Sequence, residues 1–327
     1  MSEPKCLVML AAYNGEKYIG KQIESILDQT YRNFDLMIRD DGSSDSTVQI
    51  IEEYQKKDSR VILIKNSSDL HGAYHNFHEL ILKAKSMQPY DYYLFSDQDD
   101  VWVRTKIEKL VAFMRECGDK RPVMTYTDLA VIDGDGNLIQ KSIDSDLGLD
   151  LSGQIISELF IHAYVWGCAS IVNRKLFELV PALDSSVKLR NMISHDNYFA
   201  KCAVAFGKLY IYKEPLIMHR RHGDNVSESH RLKLSPVEII KQGTIGFNQL
   251  AENYAKVYSQ TLFEISYLRQ HKLNARVLDD AEAVIRNGGI KGVRFFWSHG
   301  VKRKQKSKTL AIYLVLLTKK YQKYLIS

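Results

Sequence analysis

Four short apolar runs, Cys6 to Ala12, Phe34 to Ile38, Val61 to Ile64 and Tyr92 to Phe95, alternate with segments whose apolar residues recur at helical spacing. The helical segments follow Tyr18, Ile23, Ile26 and Leu27, then Asp45 to Lys56, Tyr74 to Ala84, and Lys106 to Met114. Such alternation predicts an α/β fold with a mostly parallel central sheet and flanking helices, since parallel neighbours need a crossover connection and a helix supplies it. In sheets of this kind ligands bind beyond the carboxyl ends of the strands.

The polar clusters of this half fall at those ends: Ala12-Tyr13-Asn14-Gly15 after the first run, Arg39-Asp40-Asp41-Gly42 after the second, and Ser96-Asp97-Gln98-Asp99-Asp100 after the fourth. Three carboxylates at one strand end suit a hard divalent cation, Mg²⁺ or Mn²⁺, which could hold a diphosphate. The plainer reading is a strand-to-helix turn with Asp100 capping a helix that starts near Trp102. Tyr13 could stack on a nucleobase, and Asp40 or Asp41 could accept from an imide N–H or a ribose hydroxyl. The run Asp40 to Thr47 is also good turn chemistry, with Ser44 or Asp45 as a helix cap and Gly42 at positive φ. Neither G-x-G-x-x-G after the first run nor G-x-x-x-x-G-K-S/T occurs, so a metal rather than a glycine loop is expected to neutralise phosphate.

At 327 residues the chain is long enough for a large domain with an appendage or for two domains. Met1 to Lys5 runs directly into a strand, so no signal segment is expected, and Cys6, Cys117, Cys168 and Cys202 lie too far apart for a C-x-x-C pair, which suits reduced thiols in the cytoplasm. Charge is uneven: Ala283 to Ser327 holds eleven Lys or Arg and no Asp or Glu, so the rest of the chain carries −5 of the total of +6. A basic tail binds nucleic acid or an anionic membrane. The apolar run Leu310 to Leu317 inside it favours membrane; it is too short to span and would lie in the interface or dock on the protein.

The series Ala-Ala-Tyr-Asn-Gly at 11–15, Arg-Asp-Asp-Gly-Ser-Ser-Asp at 39–45 and Ser-Asp-Gln-Asp-Asp-Val-Trp at 96–102 resembles the inverting glycosyltransferases of family 2, and within it the bacterial rhamnosyltransferases of cell-wall and capsular polysaccharide. The resemblance spans roughly residues 5 to 230. It implies a GT-A fold, a nucleoside diphosphate sugar donor such as dTDP-rhamnose, and a divalent metal held through the D-x-D. Carried over, Tyr13 and Asp41 face the base with Ala12 and Asn14 beside them, Asp97 and Gln98 meet the donor ribose or sugar, and Asp99 binds the metal. Ser194 to Tyr198 resembles the acceptor-side motif, with Asp196 as the base that takes the proton of the attacking hydroxyl and His195 where an acidic residue is usual. A helix cap at Ser194 or Asp196 is the structural alternative. Met218 to Asn225 resembles the R-x-H-x-x-N stretch, in which His222 completes the metal shell and Arg220 or Arg221 neutralises the diphosphate. Trp166 and Gly167 are candidates for the acceptor side, although a core position is the stronger reading of Trp166.

Asp133 to Asn137 is expected to be a hairpin turn, since the D-x-D-x-N lacks the terminal Glu of a calcium loop. The organisation expected is a catalytic domain over 1–230 and a helical, basic extension over 231–327 that packs on it, self-associates or meets a membrane, with a lipid-linked oligosaccharide as acceptor. Three alternatives stand: a UDP-hexose donor on the same scaffold, a nucleotidyltransferase, which would want a glycine-rich triphosphate loop, and a nucleic-acid-binding module acting through the tail, whose binding would fall steeply with salt.

Overall fold

β1 (Cys6–Ala12) is apolar at every position and buried at every position, the pattern of a central strand in a parallel sheet. The computed structural model describes residues 3–118, 120–143, 155–161, 165–187, 190–222, 243–302 and 306–326. After β1 come α1 (Ile19–Leu27), β2 (Phe34–Asp40), α2 (Thr47–Lys57), β3 (Val61–Lys65), α3 (Ala73–Lys85), β4 (Tyr92–Ser96), β5 (Val101–Trp102), α4 (Lys106–Cys117), β6 (Val123–Ile132), β7 (Leu138–Gln140), β8 (Ser170–Asn173), α5 (Arg174–Leu179), α6 (His195–Phe206) and β9 (Lys208–Arg220). They build one sheet in the order β3-β2-β1-β4-β8-β6-β9-β5, with β7 paired to β6. β1 runs parallel to β2 and β4, β2 to β3 and β6 to β9; β8 and β5 are antiparallel to their neighbours. The mixed α/β sheet with flanking helices is the fold class expected.

Register explains why the polar clusters meet. Ala12 lies opposite Asp40 and Leu10 opposite Ser96, so the loops after β1, β2 and β4 leave the sheet at one level. The Val101–Met218 pairing of β5 with β9 then sets Asp100 beside His219. Asp100 is therefore no helix cap: the chain after it forms a short strand, and the helix waits until Lys106. Gly42 takes the expected positive φ, 87°, and Asp45 Oδ1 accepts from Thr47 N–H at 3.0 Å, so the capping oxygen sits one residue outside the Ser46 cap position. The hairpin at β6–β7 forms as read, with Asp133 Oδ1 accepting from Asp135 N–H at 2.9 Å and Asn137 N–H at 2.8 Å. All four cysteines are thiols outside any disulfide, and Cys6, Cys168 and Cys202 are buried.

Two compact units emerge. The first holds residues up to Ile143, then Val165–Ala203 and Gly207–Gly223; the second is built from Asp224 onward but also takes in the segment containing 155–161. That segment joins the second unit because Phe160 stacks edge-on against Phe296 with ring centroids 4.8 Å apart and the Leu159 carbonyl accepts from Thr261 Oγ1 at 3.0 Å. The second unit comprises α7 (Gly243–Gln270), α8 (Arg276–Asn287), α9 (Gly289–Ser298) and α10 (Lys306–Thr318). Tyr258 and Tyr321 meet edge-to-face at its centre with centroids 4.9 Å apart. The end of the Met218 to Asn225 stretch, from Gly223, and the start of the extension, over 231–242, lie outside the described residues.

Candidate active site

Tyr13, at the end of β1, is 53% exposed, and Gln98 clamps its backbone: Gln98 Oε1 accepts from Tyr13 N–H and Gln98 Nε2 donates to the Tyr13 carbonyl, both at 2.8 Å. The clamp needs a glycine, because a Cβ on Gly15 would come within 2.3 Å of Gln98 Oε1. Asn14 turns the chain at φ 45°, and its Oδ1 accepts from Ser44 N–H at 2.8 Å, tying the first loop to the second. Ala12 is buried, and its carbonyl accepts from Asp41 N–H at 2.9 Å and Asn76 Nδ2 at 3.1 Å. Asp41 forms a floor that is only 2% exposed. Its Oδ1 accepts from Arg39 Nη1 and Asn66 Nδ2 at 3.0 Å each and its Oδ2 from Gly72 N–H at 2.7 Å. His71 stands above this floor, its Nδ1–H donating to the Asp41 carbonyl at 2.9 Å.

Asp99 and His222 come together from opposite ends of the first unit's chain: His222 Nε2 lies 2.6 Å from Asp99 Oδ2, across 123 residues of sequence. Both side chains remain partly accessible, and the Tyr18 ring covers His222 at 5.1 Å between centroids. Arg220 takes a different place from the one expected of a phosphate-binding arginine. It is 2% exposed, and its guanidinium donates to the carbonyls of Asp99, Asp133 and Gly134 at 2.8, 3.0 and 3.1 Å. Arg221 is half-buried, with its N–H donating to the Ile132 carbonyl at 2.9 Å.

Behind this pair lies a buried charge cluster that the sequence reading did not single out. Asp100 Oδ1 accepts from His219 Nδ1 at 3.0 Å and from Arg220 N–H at 3.1 Å. Lys106 is fully buried; its ammonium donates to the Cys168 carbonyl at 2.5 Å and sits 3.4 Å from the Trp102 ring centroid. Burial lowers Lys106 to about 7 despite the opposing pull of Cys168, Asp100 and Asp97. Burial, then the neighbouring Asp100 and Asp99, pushes Asp97 up to about 8, and the same two causes, burial and Asp100, raise Asp99. His219 shows the reverse balance: burial would lower it, but Asp100 foremost, with Asp97 and Asp99, brings it up to about 9. Carboxylates held above their ordinary range beside one another form a site short of positive charge. Asp99 and His222, a carboxylate and an imidazole on the accessible side, fit the hard-to-borderline donor set that Mn²⁺ or Mg²⁺ takes. Asp100, Cys168 and His219 also bring possible ligand atoms within 4.8 Å of one another. In that cluster Asp100 is already bonded to the His219 ring.

On the other side of Asp97, α6 presents Asp196. Its Oδ2 accepts from Gly167 N–H at 3.0 Å and its Oδ1 from Asn197 N–H at 2.7 Å, and its charge is among those that raise Asp97. The helix cap is Ser194, so Asp196 lies in the first turn with its carboxylate turned to the Trp166-Gly167 segment. The His195 ring lies beneath the same segment. It is 5% exposed, stacks on Phe77 at 3.8 Å and leaves both ring nitrogens without a partner, and burial lowers it to about 4. An acceptor sugar therefore cannot reach the His195 ring, and the residue instead packs under Gly167, where a Cβ would lie 2.4 Å from its Nε2. Trp166 is half-buried just before a 3₁₀ turn (Gly167–Ala169), with its ring 5.7 Å from that of His219.

Lys106 left a signal in the sequence: it occupies the position four before Leu110 on the apolar stripe of α4, where a lysine is out of pattern. His219, Asn76 and His71 carried none, since each acts through partners distant in the chain.

A mixed parallel and antiparallel sheet with flanking helices and a carboxylate cluster at its strand ends is an α/β architecture of the kind that binds ligands beyond its strands. The chain belongs to glycosyl transferase family 2, whose family model matches residues 7–179, more than half of its length, and the fold is GT-A. It is 29% identical over 224 residues to the dTDP-rhamnosyl transferase RfbG of Shigella flexneri, an alignment covering 66% of this chain and 72% of that one. Over a shorter stretch of 109 residues, 33% of this chain and 40% of the other, it is 41% identical to the UDP-Glc:alpha-D-GlcNAc-diphosphoundecaprenol beta-1,3-glucosyltransferase WfaP of Escherichia coli. Among solved structures it is similar to Staphylococcus aureus TarS 1-349 in complex with UDP-GlcNAc, with a TM-score of 0.52 at 15% identity over 98% of this chain and 91% of that one.

Proposed function

We propose that the protein is a metal-dependent inverting glycosyltransferase that moves L-rhamnose from dTDP-β-L-rhamnose to a lipid-linked cell-wall or capsular polysaccharide acceptor at the inner face of the cell membrane. The observation that carries the reading is the meeting of Asp99 with His222 in front of an Asp97 carboxyl raised to about 8, a site arranged for a cation and the phosphates it would bring. Asp99 and His222 would hold the metal, which would supply positive charge for a diphosphate.

The chain's own residues supply the rest. Tyr13 offers its exposed ring to the base, with the Asp41 floor and His71 beside it. Arg220 braces the Asp99 backbone, which leaves the diphosphate to Arg221. Gly167 N–H and Asn197 N–H orient the Asp196 carboxylate, and Asp196 takes the proton from the attacking acceptor hydroxyl as the new bond forms opposite the leaving group. A single displacement with one base inverts the anomeric centre.

Rhamnose is favoured by the likeness to RfbG, which spans two thirds of the chain, and a UDP-hexose donor is the second reading because the higher identity to WfaP falls in a shorter segment. Thermal unfolding with dTDP, UDP, GDP and ADP, each with and without Mn²⁺, separates them. A ligand at a hundred times its Kd stabilises a fold by about 2.7 kcal/mol. A Mn²⁺-dependent rise with dTDP alone is expected; a rise with UDP alone moves the donor to a UDP-sugar.

A further inference from the structure

The tail segment read from the sequence as membrane-facing or docked has a buried and an exposed face in the structure. From Leu310 to Leu317 α10 is apolar on every side: Ile312, Val315 and Leu316 are buried, while Leu310, Leu314 and Leu317 are 60%, 40% and 45% exposed. These three recur at i, i+4 and i+7 and so form one outward stripe. The neighbouring α9 packs against α10 through Phe296, whose ring lies 5.9 Å from that of Tyr313, and it likewise turns Ile290 and Trp297 outward at 72% and 78% exposure. Large apolar side chains left in water on two packed helices mark a contact surface.

Charge identifies what covers it. Arg294 lies between Ile290 and Trp297 on the same face of α9, and Lys306 stands one turn before Leu310 on the same face of α10; both cations are exposed. From Ala283 to Ser327 the chain has eleven Lys or Arg and no Asp or Glu. A second copy would set these like charges against each other, and a nucleic acid would leave the leucine stripe unused. An anionic bilayer takes both parts, cations on headgroups and Leu, Ile and Trp at the acyl boundary. No described helix is long and apolar enough to cross a membrane, so the contact is interfacial.

We infer that the outer face of the α9–α10 pair docks the protein on an anionic lipid surface through Ile290, Trp297, Leu310, Leu314 and Leu317. The test is co-sedimentation of the full chain with phosphatidylcholine vesicles with or without phosphatidylglycerol, alongside tryptophan emission. Nucleotide sugar is omitted, so failure of this inference and failure of the glycosyltransferase reading remain distinguishable. Binding is expected only with the anionic vesicles, weakening at high salt. Emission shifts to the blue on binding, since Trp102 is buried, Trp166 is half-buried away from these helices in sequence, and Trp297, 78% exposed, is the indole on this face. Trp297→Phe should remove the shift while retaining binding, and Leu310→Ser/Leu314→Ser/Leu317→Ser should cut partitioning about tenfold or more without changing the circular dichroism of the free protein. Equal partitioning of that triple variant and the wild type, no binding to anionic vesicles, or a dimer in solution that the triple variant breaks would each overturn the inference.

Discussion

Asp196 and Asp99 are both carboxylates at the ends of elements, yet their surroundings separate their work. Asp196 is aimed by two backbone N–H groups, whereas Asp99 shares its oxygen with an imidazole. Asp196→Asn preserves the shape and removes the proton acceptor; transfer should fall by about 10²-fold or more while Mn²⁺-dependent nucleotide affinity stays near wild type. Near-normal turnover would remove Asp196 from the role of base. Asp99→Ala and His222→Ala should each weaken nucleotide binding in the presence of Mn²⁺ and do little in its absence. Because the two side chains act on one site, the double variant should lose less than the sum of the singles, as measured by titration calorimetry.

At the scale of elements, α4 is tied to the sheet by a charge rather than by apolar packing alone. Lys106 enters the buried stripe beside Ile107, Leu110, Val111 and Met114 and ends against the Cys168 carbonyl. Lys106→Met keeps the length and apolar stem but removes the buried group that donates to the Cys168 carbonyl. We expect the denaturant midpoint to drop by an amount equivalent to about 3 kcal/mol. An unchanged midpoint would mean that this bond adds nothing to stability. The strands and helices of this half were legible because each buried face repeats at its own period; β1 starts and ends where its apolar run does. The stretch Val101 to Thr105, read from the sequence only through the alternative of a helix near Trp102, has no periodicity of its own, and β5 forms there only because β9 offers Met218 and Ile217 as partners.

For the whole molecule, stability against pH follows from buried neutral imidazoles. His78 donates through Nε2 to the Ile193 carbonyl at 2.8 Å, and burial, only partly opposed by that bond, lowers it from 6.5 to about 3. Between those values the unfolded chain holds a proton there that the folded chain lacks, so stability falls as pH falls, at up to about 1.4 kcal/mol per pH unit. His78→Gln can keep the donor and lose the titration. Its unfolding free energy should decline less steeply than that of the wild type between about pH 6.5 and 4.5; identical slopes would assign the acid sensitivity elsewhere.

The order of strands and helices, the three polar clusters, the unequal charge and the candidates Asp99, Asp196 and His222 all stand in the primary structure, because each is a local pattern of residue type. Tertiary structure decided which of them meet. The level register of β1, β2 and β4 gathers the loops, and the β5–β9 pair brings His219 and His222 to the carboxylates. It also turned His195 and Arg220 inward and divided the apolar tail into a docked and an outward face. Those outcomes depend on partners more than a hundred residues away or on which side of a helix finds a neighbour, and no local pattern carries that information.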